Sequence, residues 1–187
     1  YQAGNIELAE TKLKEAVTIK DDINYSAYLL LGQFASNRQD YENAAKYLEK
    51  AAELDIEEKH FADIRRLLGV SYLNLDNKAK AKEIWTELVE EEPDGDLMCQ
   101  LATFEYQENN VDGAIDWLKK CATEFPDHVA GLELLGSLYV SSDNYPDALK
   151  VYQQLLTALE KSEAPKEKID EVKQYIAVFE EELGKKK

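Results

Sequence analysis

Apolar residues recur along this chain at helical spacing, and the spacing itself repeats. Five segments align beneath one another: "IELAETKLKEAV" from Ile6, "YENAAKYLEKAA" from Tyr41, "KAKAKEIWTELV" from Lys78, "VDGAIDWLKKCA" from Val111 and "YPDALKVYQQLL" from Tyr145. Their shared alanines, Ala9, Ala44, Ala81, Ala114 and Ala148, are 35, 37, 33 and 34 residues apart. Four residues after each stands a large apolar side chain (Leu13, Leu48, Trp85, Leu118, Tyr152), and three further on Ala16, Ala51, Leu88, Cys121 or Leu155. Offsets of four and seven fall on one face of an α-helix. A period of this length predicts a repeat architecture before any local element is assigned.

Twelve residues ahead of each alanine from Ala44 onward stands a small residue, Gly32, Gly69, Ala102 or Gly136, preceded by Leu31, Leu68, Leu101 or Leu135. Tyr28, Arg65, Met98 and Leu132 lie four positions before it, and Tyr72 and Tyr139 three positions after it. Each unit therefore reads as two amphipathic helices. Glycine inside a helix costs about 1 kcal/mol relative to alanine, so its return at one register predicts a point where the first helix meets the second too closely for a side chain. The polar stretches "NRQD", "LDNK", "ENN" and "SSDN" between the two helices are rich in turn and capping residues. Pro93 and Pro126 fall just past second helices, where proline ends a helix without breaking one.

This pattern resembles the tetratricopeptide repeat, a helix-turn-helix unit of about 34 residues. Leu68-Gly69-Tyr72-Ala81-Trp85-Pro93 and Leu132-Leu135-Gly136-Tyr139-Ala148-Tyr152 carry the resemblance most clearly. It implies an all-α, right-handed superhelical solenoid of antiparallel hairpins over 1–187, with a partial repeat at 1–22, full repeats at 23–58, 59–93, 94–127 and 128–161, and a capping helix at 166–184. Departures exist. Arg65 stands where a bulky apolar residue is usual, Ala35 and Glu105 where an aromatic is usual, and three extra residues lengthen the loop around Glu57, Glu58 and Lys59.

At the first end, Tyr1 to Gly4 match the close of a first helix and its turn, with Gly4 at the family's turn glycine, so the chain is expected to enter mid-hairpin with something preceding it. At the other end, Ile169, Val172, Ile176, Phe179 and Leu183 follow one another at spacings of 3, 4, 3 and 4. One apolar stripe and one charged face suit a helix that caps the last open repeat. The same stripe would alternatively serve as the seam of a homo-oligomer.

Composition narrows the functions. With 44% hydrophobic and 32% charged residues the chain forms a core, and its formal net charge of -16 disfavours nucleic acid and anionic membrane surfaces. No stretch approaches the ~18 apolar residues of a membrane span or resembles a signal peptide. Cys99 and Cys121 are 22 apart without a Cys or His at metal-ligand spacing, and read as small buried hydrophobes, with a disulfide or redox role as the alternative. The compartment stays open, the cytoplasm fitting slightly better. His60 and His128 read as solvated loop residues, "EEEPDGD" from Glu90 as a helix end and turn rather than a calcium loop, and Asn24 as a helix N-cap rather than a glycosylated residue. No catalytic constellation, metal site or cofactor is expected.

What the resemblance implies is a binding surface. The family lines a concave groove with its first helices, and its contact positions map to Ser26, Leu29, Gln33, Ser36 and Asn37, then Asp63, Arg66, Val70, Leu73 and Asn74. The later units supply Asp96, Cys99, Thr103, Tyr106 and Gln107, then Ala130, Glu133, Ser137, Val140 and Ser141. Such a groove suits an extended or helical peptide. The family's carboxylate clamp is disfavoured, since Leu29, Gln33 and Asp96 occupy positions where it uses Lys, Asn and Lys. The expectation is a non-catalytic adaptor for a neutral or basic protein segment, with self-assembly or a regulatory region of a larger protein as alternatives.

Overall fold

The computed structural model describes residues 3–19, 25–54 and 61–185, of which residues 3–5 and 61 by backbone alone. Asn24, His60 and the Glu57-Glu58-Lys59 extension lie outside the described residues. Among the described residues every regular element is an α-helix, in the order α1 (Ala3–Ile19), α2 (Tyr25–Asn37), α3 (Tyr41–Leu54), α4 (Phe61–Asn74), α5 (Lys78–Glu91), α6 (Gly95–Gln107), α7 (Val111–Glu124), α8 (Val129–Ser141), α9 (Tyr145–Lys161) and α10 (Lys166–Lys185). α1 already includes Gly4, so that glycine lies in a first helical turn and not in the expected inter-helix turn. The helices form two compact units, one ending at Glu92 and one beginning at Pro93.

Within each unit the helices pair as antiparallel hairpins, α2 with α3 and α4 with α5 in the first, α6 with α7 and α8 with α9 in the second. The recurrent polar turns explain why. Gln39, Asp76, Asn109 and Asp143 take the left-handed conformation, with φ of 61°, 58°, 62° and 53°. The next backbone N–H then reaches back five residues to the first helix: Asp40 to Ala35 O, Asn77 to Tyr72 O, Asn110 to Glu105 O and Asn144 to Tyr139 O, at 2.8–2.9 Å. This closes the helix with the left-handed C-terminal motif, here without glycine. Asn77, Asn110 and Asn144 then cap the second helix by accepting the N–H of Lys80, Gly113 and Asp147. Two residues thus end one helix and start the next.

The hairpins close on the small residue. A Cβ on Gly69 would lie 2.0 Å from Trp85 Nε1, one on Gly136 2.6 Å from Tyr152 Cε2, and one on Gly32 2.6 Å from Leu48 Cγ. The indole lies flat on bare backbone, 1% exposed, and its N–H points to Arg66 O at 3.4 Å. Around these contacts, Ala44, Leu48, Ala51, Ala81, Leu88, Ala114, Leu118, Cys121, Ala148 and Leu155 are all buried, so in α3, α5, α7 and α9 the offsets of four and seven are the core face, whereas in α1 Ala9 is exposed and Leu13 and Ala16 are half-buried.

Two of the departures from the repeat pattern, Arg65 and Glu105, make polar contacts, and Ala35 is buried in the core. Arg65 pairs with Glu87 on α5 at 3.4 Å. Glu105, 8% exposed, accepts from Asn110 Nδ2 at 2.7 Å and so holds the capping asparagine in place. In the first unit Lys80 bonds Glu49 at 2.6 Å and lies over the Tyr72 ring, whose hydroxyl bonds both, joining α3 to the next hairpin. Glu10 fastens α1 to the turn that follows α2 by pairing with Arg38, and it also pairs with Lys14 on α1 itself.

At the far end of the second unit α10 packs on α9. Val172 and Phe179 are 4% and 3% exposed, and the Phe179 ring meets Tyr152 edge-on with centroids 5.2 Å apart. The stripe thus faces the last hairpin, with Ile169, Ile176 and Leu183 half-buried. Tyr175 and Val178 beside it stay exposed.

Gly136→Ala is expected to lower stability by about 1–3 kcal/mol, because Tyr152 must move off the backbone. Gly184→Ala, where nothing lies within 4 Å of the added methyl, is expected to leave stability unchanged or raise it by up to about 1 kcal/mol. Urea melts of the two variants check the opposite signs. The bonds from Arg38 and then Lys14 hold the Glu10 carboxyl down at about 2 from its ordinary 4.5. A depressed carboxyl stabilises above its unfolded value, so this contribution is lost as pH falls from about 4.5 to about 2. With Arg38 half in water it amounts to about 1 kcal/mol, and Glu10→Gln is expected to flatten stability over that acid window.

Candidate functional site

The first helices of neighbouring hairpins touch each other in both units, α2 with α4 and α6 with α8. Their remaining faces are left uncovered by the second helices, and both units carry a cleft there. In the first unit Gln33 and Asn37 of α2 face Asp63, Arg66 and Leu67 of α4 across ≈ 360 Å³. In the second, Ala102, Thr103 and Tyr106 of α6 face Leu134, Ser137, Leu138 and Ser141 of α8 over Leu118, across ≈ 330 Å³. The first cleft is lined largely by charged and amide groups. The second is mostly apolar, with hydroxyls at its edge.

Of the expected contact residues, Gln33, Asn37, Asp63, Arg66, Thr103, Tyr106, Ser137 and Ser141 therefore line these clefts. Ser26 and Val70 are exposed on the first helices, Leu73 and Val140 half-buried, and Asn74 bends back to donate to Val70 O at 2.8 Å. Two positions need correction as surface groups. Leu29 and Cys99 are 7% and 8% exposed, since they point into the packing under the helices. Glu133 is engaged by Lys168 of the cap at 2.6 Å.

Leu67, Leu134 and Leu138 line clefts without having been expected there. The sequence does carry a sign of two of them: leucine recurs two positions before the small residue, at Leu30, Leu67 and Leu134. The residue just before the glycine already fills the core, and Leu30 and Leu134 are 42% and 41% exposed. A side chain that the core does not use, kept apolar at one register, is available to a partner.

A second constellation gathers where α6, α7 and α8 meet. His128 is the N-cap of α8, its Nδ1 accepting the Gly131 N–H at 3.1 Å. Nε2 of the same ring is 3.1 Å from Asp96 Oδ1. That leaves the Nε2–H tautomer, with the Nδ1 lone pair 3.7 Å from Cys121 Sγ and 3.9 Å from Cys99 Sγ. The bond from the Cys99 thiol to Cys121, together with burial, pushes Cys99 up, and receiving it pulls Cys121 down. His128 is thus a packed group with its side chain 22% exposed, which corrects its reading as a solvated loop residue. The spacing of 22 and 7 residues concealed the cluster, because the hairpin brings it together and no short motif does.

A chain of uniform helical hairpins closed by small residues and an alanine-anchored second helix is a helical-repeat protein. Profiles of the tetratricopeptide repeat match residues 25–55, 67–95 and 132–167, and the chain belongs to the tetratricopeptide repeat family. Among solved structures it is similar to MamA, at 20% identity over 85% of this chain and 91% of that one, with a TM-score of 0.69. It is also similar to YrrB, described as a TPR protein with an unusual peptide-binding site, at 20% identity over 83% and 78% with a TM-score of 0.65. The C-terminal part of a TPR repeat-containing protein from Cytophaga hutchinsonii aligns at 16% identity over 82% and 60%, with a TM-score of 0.68. At these identities the likeness is one of fold. No curated protein matches the sequence significantly.

Proposed function

We propose that this chain is a non-catalytic protein-interaction scaffold whose first helices hold a peptide segment of a partner, with the α6–α8 cleft as the principal seat. The observation that carries the reading is the make-up of that cleft: Tyr106, 53% exposed, and Leu134 stand open to solvent over an apolar floor, ringed by the hydroxyls of Thr103, Ser137 and Ser141. Its ≈ 330 Å³ admits one or two apolar side chains. The Thr103 and Ser141 O–H groups each donate to a carbonyl of their own helix, and their oxygens keep lone pairs to accept a peptide N–H. YrrB's peptide-binding site lends the reading an analogue on the same fold.

The partner segment is neutral or basic. A net charge of -16 attracts cationic sequences and repels acidic ones, which acts mainly on the association rate. The polar cleft of the first unit, with Asp63 and Arg66 on one wall, offers charged contacts where the second offers apolar ones.

Panning a random dodecapeptide phage library against the chain tests this directly. Recovered peptides are expected to share an apolar residue flanked by basic ones, and to bind the Leu134→Asp variant at least tenfold more weakly, about 1.4 kcal/mol, with circular dichroism unchanged. Peptides that bind Leu134→Asp as tightly as the parent would contradict the α6–α8 seat.

A further inference from the structure

We propose that Cys99, Cys121 and His128 hold a thiophilic divalent cation of the Zn2+ class through their two Sγ atoms and Nδ1, tying α6 and α7 to the first turn of α8. The inference is independent of the peptide reading. Among the described residues this is the one group of three ligating side chains placed within 4.8 Å of one another. Its donors, two thiols and an imidazole, are those that soft and borderline cations select.

The geometry is close to a ligated one. Zinc bonds of about 2.3 Å to sulfur and 2.0–2.1 Å to nitrogen on a tetrahedron place sulfur ~3.5 Å from nitrogen. The two sulfur-to-Nδ1 distances here, 3.7 and 3.9 Å, differ from that by a few tenths of an ångström. The imidazole is already oriented for the task. Asp96 Oδ1 accepts the hydrogen bond of Nε2–H, which fixes the tautomer that turns the Nδ1 lone pair to the sulfurs, the arrangement by which a carboxylate steers a ligating histidine.

Glycine keeps one face of the triangle open. A Cβ on Gly131 would lie 2.8 Å from Cys121 Sγ, 3.1 Å from Nδ1 and 3.4 Å from Cys99 Sγ. On binding, each thiol releases its proton to solvent and Nδ1 exchanges its bond from the Gly131 N–H for one to the metal. Three protein donors leave a fourth position for water or an outside ligand. The contrast with the other hairpins is in the cap. The preceding first helix, α6, is capped by the Asp94 carboxylate, whereas α8 begins with an imidazole over two sulfurs.

The test is titration of the reduced full chain with Co2+, followed by Zn2+ displacement. One equivalent is expected to bind with thiolate-to-cobalt charge-transfer absorption, to be displaced by Zn2+, and to raise the melting temperature. His128→Asn preserves an N-cap acceptor and is expected to weaken binding about 100-fold or more while the metal-free melt stays near that of the parent. Cys99→Ser is expected to reduce the charge-transfer band as well, and Asp96→Asn to weaken binding about tenfold. Absence of charge-transfer absorption in the reduced chain, or binding to His128→Asn as tight as to the parent, would overturn the proposal.

Discussion

The rest of the structure depends on one contact, the laying of a large side chain on bare helix backbone. Helices pack at 8–10 Å depending on what stands between them, and Gly69 and Gly136 remove everything from one side so that Trp85 and Tyr152 can fill it from the other. Glycine there costs about 1 kcal/mol of helix preference. Burial of an indole to 1% exposure outweighs this, since truncating such a side chain to alanine costs about 3–5 kcal/mol. The small residue looks like a weakness only while its helix is considered alone.

From that contact the surface follows. Once the second helix is seated on the glycine face, the first helix still has a side that its partner does not cover, and adjacent first helices set those sides next to each other. Leu30 and Leu134 sit there without serving the core, and Ala102 takes the small-residue place in the hairpin where the apolar cleft opens, opposite Leu118. The turns hold this arrangement rigid: a left-handed residue and a capping asparagine fix the angle between the two helices within three positions. Rigid helices carrying exposed groups at one register suit recognition of an extended segment, because the backbone is ordered before the partner arrives.

Much of this was legible because it is periodic. The alanine, the residue four later and the glycine twelve earlier repeat often enough to reveal the hairpin, its core face and its closest approach from residue types alone. The cap was legible for the same reason, as five apolar residues on one stripe. What escaped depends on distance in space. Cys99, Cys121 and His128 share no motif, and only the folding of α6, α7 and α8 onto one another puts them together. Leu29 and Cys99 were misplaced because a family contact position gives a register and not the rotation of a particular helix, and rotation decides whether a side chain meets solvent or core. The pairing of Glu133 with Lys168 was not legible either, because Lys168 lies on a helix outside the repeat.

The glycine contact is tested most directly by a double-mutant cycle between positions 69 and 85, read by urea unfolding of the chain. With Trp85 present, alanine at position 69 is expected to destabilise by about 1–3 kcal/mol. In the Trp85→Ala background the same change is expected to reverse sign, leaving only alanine's helix preference of about 1 kcal/mol. An equal loss from Gly69→Ala in both backgrounds would mean that the glycine is not there for the indole, and would contradict the account of how these hairpins close.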